Sequence, residues 1–138
     1  MKVDQQSWRR YGRTGLTGLD LDQVCPGFLC YAPHHGDGLV LLLDLEGNEV
    51  HRWQMPYSPG SWGYLLPNGN LFYLAKAPDD GVERFPAFQN FKGGLLLEAD
   101  WDSNIVWQHE NTNHHHDARR TDSGGAIYLT VETMPADL

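Results

Sequence analysis

Leu43-Asp-Leu-Glu-Gly-Asn-Glu-Val50 returns in the second half of the chain as Ala99-Asp-Trp-Asp-Ser-Asn-Ile-Val106. Asp44, Asn48 and Val50 recur as Asp100, Asn104 and Val106. Further along, Gly69, Tyr73 and Leu74 recur as Gly124, Tyr128 and Leu129, at an offset one shorter. Each unit reads strand, turn, strand, loop, strand, turn, strand. Four antiparallel strands per repeat of about 50 residues is the pattern of a β-propeller blade. The expected fold class is all-β. The 138 residues hold about two and a half such four-stranded units, whereas closed propellers use about 4 to 8 blades. The chain is therefore expected to be part of a ring that a second polypeptide or further copies complete. A small sandwich whose repeat is coincidental is the alternative.

Outward from the repeat, residues 1–24 are polar and mixed and read as an N-terminal arm, with 25–138 as the partial propeller domain. Strands are expected over Phe28–Ala32, Leu39–Leu45, Glu49–Trp53, Ser61–Leu66 and Leu71–Ala75. Further strands are expected over Leu95–Ala99, Asn104–Gln108 and Ala126–Val131, where β-branched, aromatic and leucine-rich runs are bounded by turn formers. Leu39–Leu45 reads as buried on both faces. Pro67-Asn-Gly-Asn70 is the clearest turn, because Asn-Gly accepts positive φ angles. No window carries apolar residues at helical spacing for long enough to make a helix. Residues 77–94, with three phenylalanines, form a long connection that packs down as a lid, contacts a partner or simply packs on itself.

Composition bounds the function. Hydrophobic residues make up 41% and charged residues 20%, which is globular and not disordered. The net charge of −8 argues against nucleic-acid binding, and only Arg9-Arg10 and Arg119-Arg120 cluster basic charge. No apolar run approaches the roughly 20 residues of a membrane span. The N-terminus has no signal-peptide core, so the chain as written is expected in the cytoplasm, or in the periplasm if a leader was removed. Cys25 and Cys30 are then free thiols, most simply small buried residues near a strand start.

Chemistry concentrates in Asn111-Thr-Asn-His-His-His-Asp-Ala-Arg-Arg120. If this segment is extended, His114 and His116 share one face, and His115, Asp117 and Arg119 share the other. Imidazoles titrate near neutrality, and arginine offers a forked donor set for an oxyanion. The expected catalytic residues are His115, His116 and Asp117, with His114, Arg119 and Arg120 binding substrate. A metal held by His114 and His116, completed by residues such as His51 or His109, is the second reading. A solvated polar strand entry is the third. His34 and His35 lie in a turn cluster and are expected to be exposed. Trp53, Trp101 and Trp107 are expected to pack between sheets.

The chain resembles the arylsulfate sulfotransferase family. The resemblance rests on Gly15-Leu-Thr-Gly-Leu-Asp20, Pro26-Gly-Phe28 and Tyr31-Ala-Pro33, then Asp44-Leu-Glu-Gly-Asn48 with Val50-His-Arg-Trp53. It continues through Leu65-Leu-Pro-Asn-Gly-Asn-Leu71, Glu98-Ala-Asp-Trp-Asp102 with Val106-Trp107, and His115-His-Asp117, covering residues 15–132. It implies a six-bladed propeller whose central channel transfers a sulfuryl group between small phenolic substrates through a transiently sulfurylated histidine. That histidine is expected on a later blade, with His115, His116 and Asp117 lining the pocket here. No cofactor is needed for such a reaction. A metal-dependent lyase or hydrolase on the same scaffold, with a divalent metal as cofactor, and a non-catalytic ligand- or partner-binding subunit are the alternatives.

Overall fold

A computed structural model describes residues 16–78 and 93–136. Among the described residues there is no helix, and nine strands form three antiparallel sheets. The first sheet holds β1 (Leu29–Tyr31), β2 (Leu39–Leu43) and β3 (Glu49–Gln54). The second holds β4 (Pro59–Leu65), β5 (Leu71–Lys76), β6 (Gly94–Ala99) and β7 (Ile105–Glu110) in sequence order. The third pairs β8 (His114–Arg120) with β9 (Ala126–Thr130). Most of the 77–94 connection, and residues 1–15 of the arm, fall outside the described residues. Residues 16–24 are irregular, with one turn in which the Val24 N–H donates to the Asp20 carbonyl at 3.0 Å.

Four turns share one geometry. In Asp44–Asn48, Leu66–Asn70, Asp100–Asn104 and Thr121–Gly125, the first N–H donates to the fifth carbonyl, and the fourth N–H donates back to the first carbonyl. The fourth residue sits at positive φ each time: 83° at Gly47, 85° at Gly69, 69° at Ser103 and 85° at Gly124. This is the three-residue hairpin loop, a type I turn followed by a left-handed residue. Asn68 is not at positive φ, so the turn at Pro67-Asn-Gly is one residue longer than a two-residue Asn-Gly hairpin. Asp44 and Asp100 fix their turns identically, each accepting from the backbone and side-chain N–H groups of Asn48 or Asn104. Those bonds hold both carboxyls below their ordinary range.

The two inner strands of the middle sheet, β5 and β6, are buried on both faces. Leu71, Tyr73 and Ala75 of β5, with Leu95, Leu97 and Ala99 of β6, pack against Val40, Leu42, Trp53 and Met55. Phe72, Leu74 and Leu96 point the other way, against Ala118, Trp107 and Tyr128. Strand alternation divides the two cores. Burying each large apolar side chain contributes about 1.5–3 kcal/mol. The expectation that Leu39–Leu45 is the doubly buried strand is corrected: β2 ends at Leu43 and buries only Val40 and Leu42. Its second face has no sheet on it among the described residues. The expectation that the tryptophans pack between sheets holds fully for Trp53 alone: Trp107 is half-buried and Trp101 is exposed. Trp53 is fully buried and donates its indole N–H to the Asp100 carbonyl at 3.0 Å, and Trp101 stacks on His51 at 3.9 Å.

Candidate functional site

The histidine-rich stretch is a strand, but not an evenly alternating one. His114 pairs with Thr130 and Ala118 with Tyr128, so β8 advances four residues while β9 advances two. The same irregularity occurs at the equivalent point of the preceding unit: Pro59 pairs with Ala75 and Gly63 with Tyr73. His115-His116-Asp117 therefore occupies a bulge whose counterpart is Gly60-Ser61-Trp62. Within it, His116 adopts φ 60°, a left-handed conformation that costs a residue other than glycine about 1–3 kcal/mol. Bulges re-aim side chains and concentrate beside functional sites.

The bulge undoes the face assignment expected of an extended segment. His114 is buried, His115 half-buried and His116 exposed. The rings of His115 and His116 stand perpendicular at 5.0 Å, with their Nδ1 atoms 2.7 Å apart. Sequential residues of a regular strand point to opposite faces and cannot meet this way. One Nδ1–H donates this hydrogen bond and the other Nδ1 accepts it.

His114 lies inside. Gly93 and Gly94 lie against it: a Cβ on Gly93 would come within 2.7 Å of its Nδ1. The Gly94 N–H donates to Nδ1 at 3.2 Å, which puts the proton of the neutral ring on Nε2. That atom has no hydrogen-bond partner among the described residues. Burial lowers the pKa to about 4, against the opposing pull of the Asp117 backbone and carboxylate. His114 is neutral at pH 7, with its Nδ1 lone pair already engaged.

Arg119 joins the bulge through Asp117, whose carboxylate accepts its Nη1–H at 3.2 Å. Its guanidinium lies 4.1 Å above the Trp62 ring and 5.1 Å from that of Tyr64. These contacts keep it half-exposed yet oriented, with donors remaining for an anion. Trp62 and Tyr64 are site residues that sequence reasoning missed. The signal was present, since the offset that relates Tyr73 to Tyr128 places them at the positions equivalent to Asp117 and Arg119.

Arg120 faces the other way. Its Nε–H donates to Glu98 Oε2 at 2.8 Å, its Nη1 donates to the Gly124 and Gly125 carbonyls, and it lies 3.9 Å over Trp107. Glu98 is itself buried on β6. Burial pushes its carboxyl up, but hydrogen bonds from Asn70, Arg120 and Asn68 outweigh this and hold it below its ordinary range. The ion pair floors a cleft of about 580 Å³ between the Leu66–Asn70 and Thr121–Gly125 turns. Tyr64 and Arg119 also line this cleft.

The remaining histidines are dispersed. His51 bonds the Trp101 carbonyl at 2.8 Å, His109 bonds the Tyr128 hydroxyl at 2.9 Å, and His34 and His35 are exposed. Among the described residues, no group of three or more His, Cys, Asp or Glu side chains is placed to hold a metal ion. Cys25 and Cys30 are unpaired with one another, Cys25 exposed and Cys30 half-buried. No helix of the described residues is long and apolar enough to cross a membrane. No protein-family model, curated protein or solved structure matches the chain.

Proposed function

We propose that this chain is part of a β-propeller whose channel-lining strands include β4 and β8, and that it contributes one wall of an arylsulfotransferase-like site for small phenolic substrates. The observation that carries this reading is the repeated bulge. At equivalent points of two successive units the strand breaks register, and only the second occurrence carries His115-His116-Asp117. His116 is held there at positive φ, and local strain of this kind persists where the surroundings over-determine it, typically at working sites.

The chemistry is sulfuryl transfer: the S–O bond of an aryl sulfate breaks, a new S–O bond forms to the acceptor, and a phenol leaves. The leaving phenolate needs a proton, and an acceptor phenol must lose one. The hydrogen-bonded His115–His116 pair offers imidazole groups that can donate a proton in the first step and accept one in the second. Arg119, oriented by Asp117 and stacked on Trp62, supplies a forked donor for sulfate oxygens, and the Trp62–Tyr64 face suits an aryl ring. The nucleophile comes from elsewhere in the completed ring. The test is an assay of phenol release from aryl sulfates with and without a phenolic acceptor. Acceptor-dependent release that Arg119→Ala weakens mainly through KM supports the reading, and absence of release across a donor panel from the assembled protein contradicts it.

A further inference from the structure

The sheet registers match the two repeats residue by residue, and one cluster changes character between them. Val40 pairs with Trp53 as Leu96 pairs with His109. The Met55 N–H donates to the Gly38 carbonyl at 2.8 Å, as the Asn111 N–H donates to the Gly94 carbonyl at 2.9 Å. Beyond the two bulges, Gly63 pairs with Tyr73 as Ala118 pairs with Tyr128. Trp53, Met55 and Tyr73 are therefore the equivalents of His109, Asn111 and Tyr128. The first three are at most 1% exposed and share one apolar core. There the Tyr73 hydroxyl donates to the Tyr57 carbonyl at 2.8 Å, and burial pushes its pKa above the ordinary value. In the second unit the same positions are half-buried, and the Tyr128 hydroxyl meets side chains instead of a carbonyl.

His109 Nε2 lies 2.9 Å from the Tyr128 hydroxyl, and the Asn111 Nδ2–H donates to the same oxygen at 3.1 Å. Asn111 Oδ1 accepts from the Asn113 N–H at 2.9 Å, which fixes the end of the amide that faces Tyr128. A hydroxyl has one proton to give. With Asn111 donating to the oxygen, that proton goes to His109 Nε2, the one acceptor it meets among the described residues. A phenol bonded to a base on one side and to a donor on the other is the arrangement of an activated nucleophile. We propose that Tyr128 is a nucleophilic phenol, with His109 as its base and Asn111 steadying the phenolate that develops, and that it attacks a sulfur(VI) centre bearing a good leaving group. The nucleophile rests on this geometry alone; the choice of sulfur rests on the sulfuryl-transfer reading. In the step, a new S–O bond forms to Tyr128 and the leaving group departs with the electrons of its bond to sulfur. The phenolic proton passes to His109 Nε2 and on to solvent. Tyr73 lacks this option, because its proton is held by a carbonyl, which takes up no proton near neutral pH.

The test is reaction of the full chain with an aryl sulfonyl fluoride at neutral pH, with labelled tyrosines located by peptide mass spectrometry. The S–F bond breaks, fluoride leaves, and the tyrosine carries an aryl sulfonate ester. Tyr31 and Tyr57, 50% and 38% exposed, are internal references for exposure without activation. Tyr128 should be labelled at least about tenfold faster than either, although it is less exposed, and Tyr73 should stay unlabelled. His109→Gln keeps a polar side chain but removes the base, and should slow labelling of Tyr128 by about 10²-fold. Tyr73 doubles as a folding control, because unfolding would expose it to the reagent. Labelling of Tyr128 no faster than that of Tyr31 and Tyr57 overturns the inference, and so does undiminished labelling in a His109→Gln protein whose Tyr73 stays unlabelled. Should that variant unfold, the wild-type order of rates decides alone. A rapidly labelled Tyr128 in a protein that releases no phenol from aryl sulfates would leave the nucleophile standing and reject only the sulfuryl-transfer reading.

Discussion

Arg120 Nε lies 2.8 Å from Glu98 Oε2, and the two side chains are only 12% and 8% exposed. This contact ties the β8–β9 sheet to β6 of the middle sheet, and the Arg120 N–H adds a bond to the Tyr64 hydroxyl at 2.9 Å. Removing one partner leaves a charge buried without its counter-ion. Arg120→Ala should cost about 3–5 kcal/mol, while Arg120→Met with Glu98→Leu should recover most of the loss. Denaturant unfolding of both variants checks this. Equal destabilisation by the single and double changes would contradict it.

Gly69 sits at φ 85° with nothing within 4 Å of an added Cβ, so a substitution there meets conformational strain alone. Gly69→Val should lower stability by about 1–3 kcal/mol. Gly69→Asn should lose less, because Asn tolerates the left-handed region. Thermal melts that rank the two in the reverse order would exclude this turn geometry.

His114 gives stability a pH slope. Its folded pKa is about 4 against an ordinary value of 6.5. Between those values the unfolded chain binds the proton and the folded chain does not, so stability falls as pH drops through that window. The slope should approach about 1.4 kcal/mol per pH unit. The lowered carboxyl of Glu98 adds a further loss below its ordinary value of 4.5. His114→Asn keeps an acceptor for the Gly94 N–H and removes the titration. Melting curves measured from neutral pH down through this window should therefore be flatter for the variant than for the wild type.

Much of the fold was legible in the sequence. Apolar runs such as Leu71-Phe-Tyr-Leu-Ala75, bounded by turn residues, marked the strands closely at most ends. The recurrence of Asp44 and Asn48 as Asp100 and Asn104 marked two turns with the same hydrogen bonds. The bulges at residues 59–63 and 114–118 were not legible. A bulge is a mismatch between two strands, and neither strand alone records it. The burial of Glu98 was hidden for a related reason: its partners Asn68 and Asn70 come from one turn and Arg120 from the distant end of β8. The doubly buried strand was misassigned because β2 and β6 are both leucine-rich, and burial depends on which sheet has neighbours on both sides.

The central claim is that the His115–His116 bulge takes part in sulfuryl transfer, and His116→Gly tests it most directly. Glycine accepts the positive φ of this position without strain, so the change removes the imidazole while preserving the bulge. The assembled wild type and variant are compared for phenol release from an aryl sulfate, with melting temperature measured in parallel. The account predicts a melting temperature unchanged or raised and a rate reduced by about 10²–10⁴-fold, the usual effect of losing a positioned acid–base group. Undiminished release from the glycine variant would contradict it and remove this bulge from the reaction.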